Sequence, residues 1–268
     1  MHSSVDDYAL FESGIYDPEK NVCQSVPRFS WRLGGNFSTE SPRAQRCIKV
    51  FPFTLSHLTG YSPGMFQDAY IKLDPKETES FLAACGDALE GSSFLSANSV
   101  IMKRPLAFYP GFTFYDVADH STMPARRRFM VAKDQDIVVL DFTNAPIYAL
   151  NTRAPLLLND DTLLDYVRFF FSFVRGRHGR FLICESVDDI QWREEPPPSA
   201  RKAIAKMIEP LKISRKDEDG DVHVMAQMMF KDALFHTHIT VAPNGNIKLS
   251  QEKMLIEDIP VLDDTLGQ

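Results

Sequence analysis

The chain has 268 residues, with 29 Lys and Arg against 36 Asp and Glu, giving a formal net charge of −7. Hydrophobic residues make up 44% and charged residues 24%, the balance of an ordinary globular chain with ample core material. A mildly acidic chain gains no general attraction to phosphate backbones or anionic membranes, so nucleic acid is not an expected partner.

No stretch approaches the roughly 20 consecutive apolar residues that a membrane helix needs. Met1 to Gly14 is acidic and polar, with no basic segment leading into an apolar run, so no secretory signal is read there. Cys23, Cys47, Cys85 and Cys184 are widely spaced and form no C-x-x-C pair. They read as reduced thiols, and a cytoplasmic location is expected. Asn36-Phe-Ser38 is a formal glycosylation sequon that carries no weight without export.

Taken in chain order, residues 1–46 read as an irregular arm with short aromatic islands such as Phe29-Ser-Trp31. Residues 47–152 read as a β-rich half with one capped helix, and 153–268 as a helix-containing meander half, the two sharing one core. Ile48 to Leu55 suggests a strand interrupted by Pro52, hence an edge or bulge. Asp74-Pro75-Lys76-Glu77 opens a helix, because Asp74 can accept from first-turn N–H groups and Glu77 can reach back in a capping box. Phe81, Leu82, Cys85 and Leu89 supply its apolar stripe, and Gly91 is read as its end. Val100 to Val117, broken by Pro105 and Pro110, and Phe129 to Phe142 read as strands, with Ile137 to Leu140 as a central one. Pro146 and Pro155 bracket a connector.

Asn159-Asp160-Asp161 is then expected to cap a helix with apolar residues at nine of the twelve positions from 163 to 174. A helix apolar nearly all round is sandwiched between layers. Gly176 and Gly179 turn the chain into a strand, Phe181 to Glu185, and Ser199 is placed to cap a helix over Ala200 to Glu209. Four strands follow: Lys212–Lys216, Val222–Phe230, Leu234–Ala242 and Ile247–Gln251. The fold class is α+β: the β-rich N-terminal half, then helix, strand, helix and a four-stranded antiparallel meander. That order resembles the topology of nuclear-transport-factor-2-like cones, and the resemblance implies a cone-shaped sheet but carries no function with it.

Catalytic motifs fail on chemical grounds. Gly60-Tyr-Ser62-Pro-Gly64 fits the spelling of a nucleophile elbow, but the residue after the serine must donate its N–H to the oxyanion, and Pro63 has none. No glycine-rich phosphate loop or H-E-x-x-H is present. Arg126 to Arg128 and the Arg175, Arg177 and Arg180 run read as solvated basic faces, and Cys184 as core.

One constellation remains. Parity along the strand from 222 to 230 puts Val222, Val224, Ala226, Met228 and Phe230 on the core face, with His223, Met225, Gln227 and Met229 opposite. On the next strand Phe235, Ile239 and Val241 are inward, leaving His236, His238 and Thr240 outward. A type I turn at Pro243-Asn244 with Gly245 left-handed pairs Val241 with Ile247 and Ile239 with Leu249. It also sets His238 opposite Ser250 and His236 opposite Glu252. Two histidines and a carboxylate can bind zinc or ferrous iron, and a histidine polarised by glutamate can act as a general base, so His236, His238, Glu252 and Gln227 are the catalytic candidates and the first three the metal candidates. The same residues also suit the wet face of an antiparallel sheet. No motif names a cofactor. The expectation is therefore an intracellular, non-enzymatic interaction or accessory protein that contacts another protein. The alternative is a small-molecule-binding protein or enzyme working through the histidine face.

Overall fold

The computed structural model describes residues 70–89, 94–176 and 179–262. The strand expected over 48–55, the Ser62 motif, the Asn36 sequon and the turn at 177–178 lie outside the described residues.

The described chain is α+β, built on two antiparallel sheets. The first has the order β1-β2-β3-β4-β5, from Ile71–Lys72, Ser99–Pro105, Thr113–Asp119, Arg126–Lys133 and Asp136–Leu140. Pro105 and Pro110 act as expected, splitting the run after residue 99 into β2 and β3. Among the described residues β5 pairs with β4 alone, so Ile137 to Leu140 ends this sheet rather than lying at its centre. Its continuous apolar run has another cause: Val138 and Leu140 join the main core, while Ile137 and Val139 pack on the opposite side.

That opposite side is covered by α1, Pro75–Cys85, whose capping box is formed as expected: Glu77 N donates to Asp74 Oδ1 at 2.8 Å and Asp74 N to Glu77 Oε2 at 2.9 Å. The helix stops at Gly86, where φ is +42°, short of Gly91. The connector between the prolines contains a helix, α2, Ala145–Asn151. Pro146 sits in its first turn, where a missing N–H costs nothing, so the proline marks a start and not a break.

The sandwiched helix is α3, Leu163–Phe173, with seven of its eleven residues buried. Its N-cap is Thr162, and Asn159 Oδ1 accepts from the N–H groups of Asp161 and Thr162 just before it. Phe169 and Phe173 pack on Phe114 and Phe129 of the first sheet. One cluster of buried residues takes in this sheet, α3 and the inner face of the second sheet, including Met228, Phe230, Phe235, Ile239 and Val241.

The second sheet contains β6, Arg175–Gly176, β7, Gly179–Ile183, and the meander β8, Lys212–Lys216, β9, Val222–Phe230, β10, Ala233–Val241, and β11, Ile247–Ile256. Its order is β11-β10-β9-β7-β6, with β8 sharing the β7 side of β9. The four-stranded meander is present as read; the strand order does not establish a nuclear-transport-factor-2-like cone. Helix α4 spans Pro198–Ala205 with Pro197 at its N-cap, so Ser199 lies within the first turn and does not cap it. The run after α4 and the C-terminal segment cover one end of the sheet's outer face, where Ile204, Ile208, Met229, Leu234, Cys184 and Ile259 form a separate cluster.

Candidate functional site on the outer face of the C-terminal sheet

The turn after β10 fixes the site. Gly245 has φ of +80° and its N–H donates to Ala242 O at 2.8 Å, so the left-handed residue falls where the sequence placed it. A Cβ at Gly245 would meet the Tyr166 hydroxyl at 2.8 Å and Asn151 at 2.4 Å, a second reason for glycine there. Val241 pairs with Ile247, Ile239 with Leu249 and His238 with Ser250, as the core matching required.

Beyond Ser250 the register changes. His236 pairs with Lys253, not with Glu252, because residues 251 and 252 together face the single residue Thr237. This bulge turns Glu252 to the inner side, where it lines a small cavity with Phe181, Met228, Phe230, Phe235 and Thr237. Much of the Glu252 residue still meets solvent, but burial of its carboxyl against apolar walls pushes its pKa up. The expected partnership of Glu252 with His236 and His238 is therefore corrected: the carboxylate belongs to the other face. Among the described residues, no three His, Cys, Asp or Glu side chains are gathered closely enough to hold a metal ion.

What does face outward is a set of cross-strand rows. One row is Lys212, Met225, His238 and Ser250; a second is Gln227, His236 and Lys253; a third is Arg215, His223, Thr240 and Lys248. Gln227 is 5% exposed, and its side-chain amide hydrogen-bonds His236 Nδ1 at 3.1 Å. The bond engages Nδ1 and restrains the ring's orientation. The His236 and His238 rings stand edge to face with centroids 5.6 Å apart. Burial holds His236 below the ordinary imidazole pKa, and His238 adds repulsion; Glu209 opposes the shift, while Lys212 and Lys253 reinforce it.

A second pair escaped the sequence reading. His223 Nε2 lies 2.7 Å from Asp217 Oδ2, and His223 Nδ1 lies 3.2 Å from Thr240 Oγ1. Arg215 Nε also reaches Asp217 Oδ1 at 2.7 Å. The hydrogen bond from His223, with Arg215 beside it, holds the Asp217 carboxyl below the usual carboxylate range. Parity placed His223 and Thr240 on this face; the missing link was Asp217, a residue of the connection between β8 and β9 with no periodic signal of its own. The hydroxyl–imidazole–carboxylate chain has the atom order of a nucleophile triad. It lies on the outer face of the sheet beside the β8–β9 connection, with His223 and Thr240 half-buried.

The outer face is locally cationic on an acidic chain. Lys212, Arg215, Lys248 and Lys253 lie on it, against the carboxylates of Asp217 and of Glu209, whose pKa is lowered first by the Lys212 hydrogen bond. The two arginine clusters are more occupied than a solvated reading allows: Arg126 pairs with buried Asp119 at 2.6 Å, Arg127 pairs with buried Asp116, and Arg175 lies 4.1 Å over the Phe142 ring. Cys85 and Cys184 are buried free thiols, pushed up to about 11 and about 12 by desolvation, so neither is a reactive thiolate.

No protein-family model, curated protein or solved structure matches this chain. Among the described residues, no helix is long and apolar enough to cross a membrane.

Proposed function

We propose that the chain is an intracellular, non-enzymatic accessory protein whose outer C-terminal sheet face docks an acidic segment of another protein. The observation that carries this reading is the concentration of Lys212, Arg215, Lys248 and Lys253 around three half-buried histidines on one sheet face, in a chain of net charge −7. A patch of sign opposite to the whole molecule attracts a complementary partner and orients it on approach. Half-buried His223, Met225, His236 and His238 supply contact area between the charges. The buried, deprotonation-resistant thiols agree with a reducing compartment. The enzymatic alternative through His236, His238 and Glu252 is weakened by the bulge that removes Glu252 from the face.

A photoreactive residue placed at Lys248 in the full chain, and in a control chain at exposed Lys76 on α1, tests this in cell extracts and in intact cells. The expected result is a discrete protein adduct from position 248 alone, lost when Lys212→Glu and Lys253→Glu are combined in a still-folded chain. The same adducts from both positions, or none from position 248, overturn the proposal.

A further inference from the structure

We infer that the small cavity on the inner side of the second sheet binds a small primary alkylammonium ion, its alkyl end among the aromatic walls and its ammonium at the Glu252 carboxylate. This goes beyond the docking role and stands without it. The walls come from four strands: Phe181 of β7, Met228 and Phe230 of β9, Phe235 and Thr237 of β10, and Glu252 of β11. All but Glu252 are buried, while Glu252 is exposed, so the carboxylate stands at the mouth. The space between the walls, out to the solvent, is about 220 Å3, and its closed part takes about one water-sized group. Ligands of drug size need roughly 300–1,000 Å3, so this cavity suits a chain of only a few atoms.

Strand register makes these walls aromatic. Phe181 pairs with Phe230 across β7 and β9, and the two rings stack with centroids 4.5 Å apart. Phe235 pairs with Met228 on the next ladder and brings a third ring to the cavity. Aromatic rings attract an ammonium through their π-electrons. Phe230 does so within the chain itself, since Lys231 Nζ lies 5.5 Å over its ring. Thr237 is the second polar wall residue: its hydroxyl donates to Ala226 O at 3.4 Å, which leaves its oxygen able to accept.

The bulge at residues 251 and 252 is what brings a carboxylate to this place. Among the described residues no hydrogen bond or ion pair reaches it. Its neighbour Lys253 is no partner, being paired opposite His236 on the other face. A carboxylate set against apolar walls without a counter-charge is costly, and burial raises its pKa accordingly. An ammonium gives it a charge-assisted hydrogen bond, and the net charge of −7 draws cations towards the chain. Tetramethylammonium has no N–H to donate and is broader than the closed part. A neutral alcohol fits but lacks the charge. The site therefore selects a primary ammonium.

Titration of the full chain with ethylammonium chloride at constant ionic strength, followed in amide nitrogen–proton correlation spectra, tests the site. Saturable shifts are expected at the amides of Phe235, Thr237 and Glu252. Ethanol, the neutral counterpart of similar size, and tetramethylammonium chloride are each expected to bind about threefold more weakly or worse. Glu252→Gln weakens ethylammonium binding about threefold to fivefold, the range of an exposed ion pair. Phe235→Leu keeps the wall apolar but removes a ring, and weakens binding about twofold or more. Lys248→Gln, on the other face, leaves binding unchanged, and the amide spectrum of each variant shows that it folds. Absence of saturable shifts overturns the inference, as does wild-type affinity in Glu252→Gln. Equal binding of ethanol and ethylammonium overturns the ammonium assignment.

Discussion

The two faces of the C-terminal sheet solve opposite problems with the same strands. The inner face of β9 and β10 carries Val224, Met228, Phe230, Phe235, Ile239 and Val241, packed into one cluster with α3 and the first sheet. The outer face carries histidines, a buried glutamine, Met225 and lysines, and its end beneath α4 is apolar. Period-two alternation produces both faces at once, so every residue committed to the core commits its neighbour to the surface. The inner face holds the fold together, and the outer face is available to change without unfolding it.

The largest test of that division is to truncate one residue on each side. Phe169→Ala removes a fully buried ring that meets Phe108, Tyr109, Phe114 and Phe173. It is expected to cost about 3–5 kcal/mol in urea unfolding. His238→Ala, on the outer face, is expected to stay within about 0.5 kcal/mol of wild type. Comparable losses for the two variants would mean the outer face is structural after all. The next effect in size concerns the polar chain that ties the halves together. Tyr109 OH donates to Asn151 Oδ1, Asn151 Nδ2 donates to Tyr166 OH at 2.8 Å, and Tyr166 OH donates to Gly245 O at 2.6 Å. Tyr166→Phe leaves the Asn151 amide and the Gly245 carbonyl without that partner, at about 1–3 kcal/mol in the same unfolding assay.

The inner face was legible from the sequence because its signals are redundant: parity, the left-handed glycine and core matching all gave one register through Ser250. The outer face was legible only up to that point. Continuing the ladder without interruption sends Lys253 inward opposite Phe235. The observed bulge instead places Met254 opposite Phe235 and Lys253 opposite His236. The cost of burying an ammonium was therefore visible in the sequence, but its resolution was not, since no glycine or proline marks the slip. Glu252 was misplaced for this reason alone. Glu209 and Asp217 were missed for a different one: both sit in connections, where periodicity gives no direction to a side chain. Helix α2 was missed because a proline in a first turn spells the same as a proline in a break.

The smallest effects come from protonation, and they have opposite signs on the two faces. His236 titrates lower in the folded protein than the ~6.5 of an unfolded chain. The unfolded state therefore takes up its proton first as pH falls, so stability drops from about pH 6.5 downward until the folded ring protonates too. His236→Gln is expected to flatten the urea midpoint across that window. Glu252 is raised. As pH rises through about 4.3, the unfolded carboxyl ionises first and stability is lost until the folded carboxyl follows. Glu252→Gln should therefore raise the urea midpoint at pH 7 while leaving it unchanged at pH 3. Because much of the side chain meets solvent, screening keeps the gain below about 0.5 kcal/mol. A carboxylate that helped hold His236 would behave the other way, with Glu252→Gln lowering the midpoint at pH 7, so the sign of this one change tells which face Glu252 occupies.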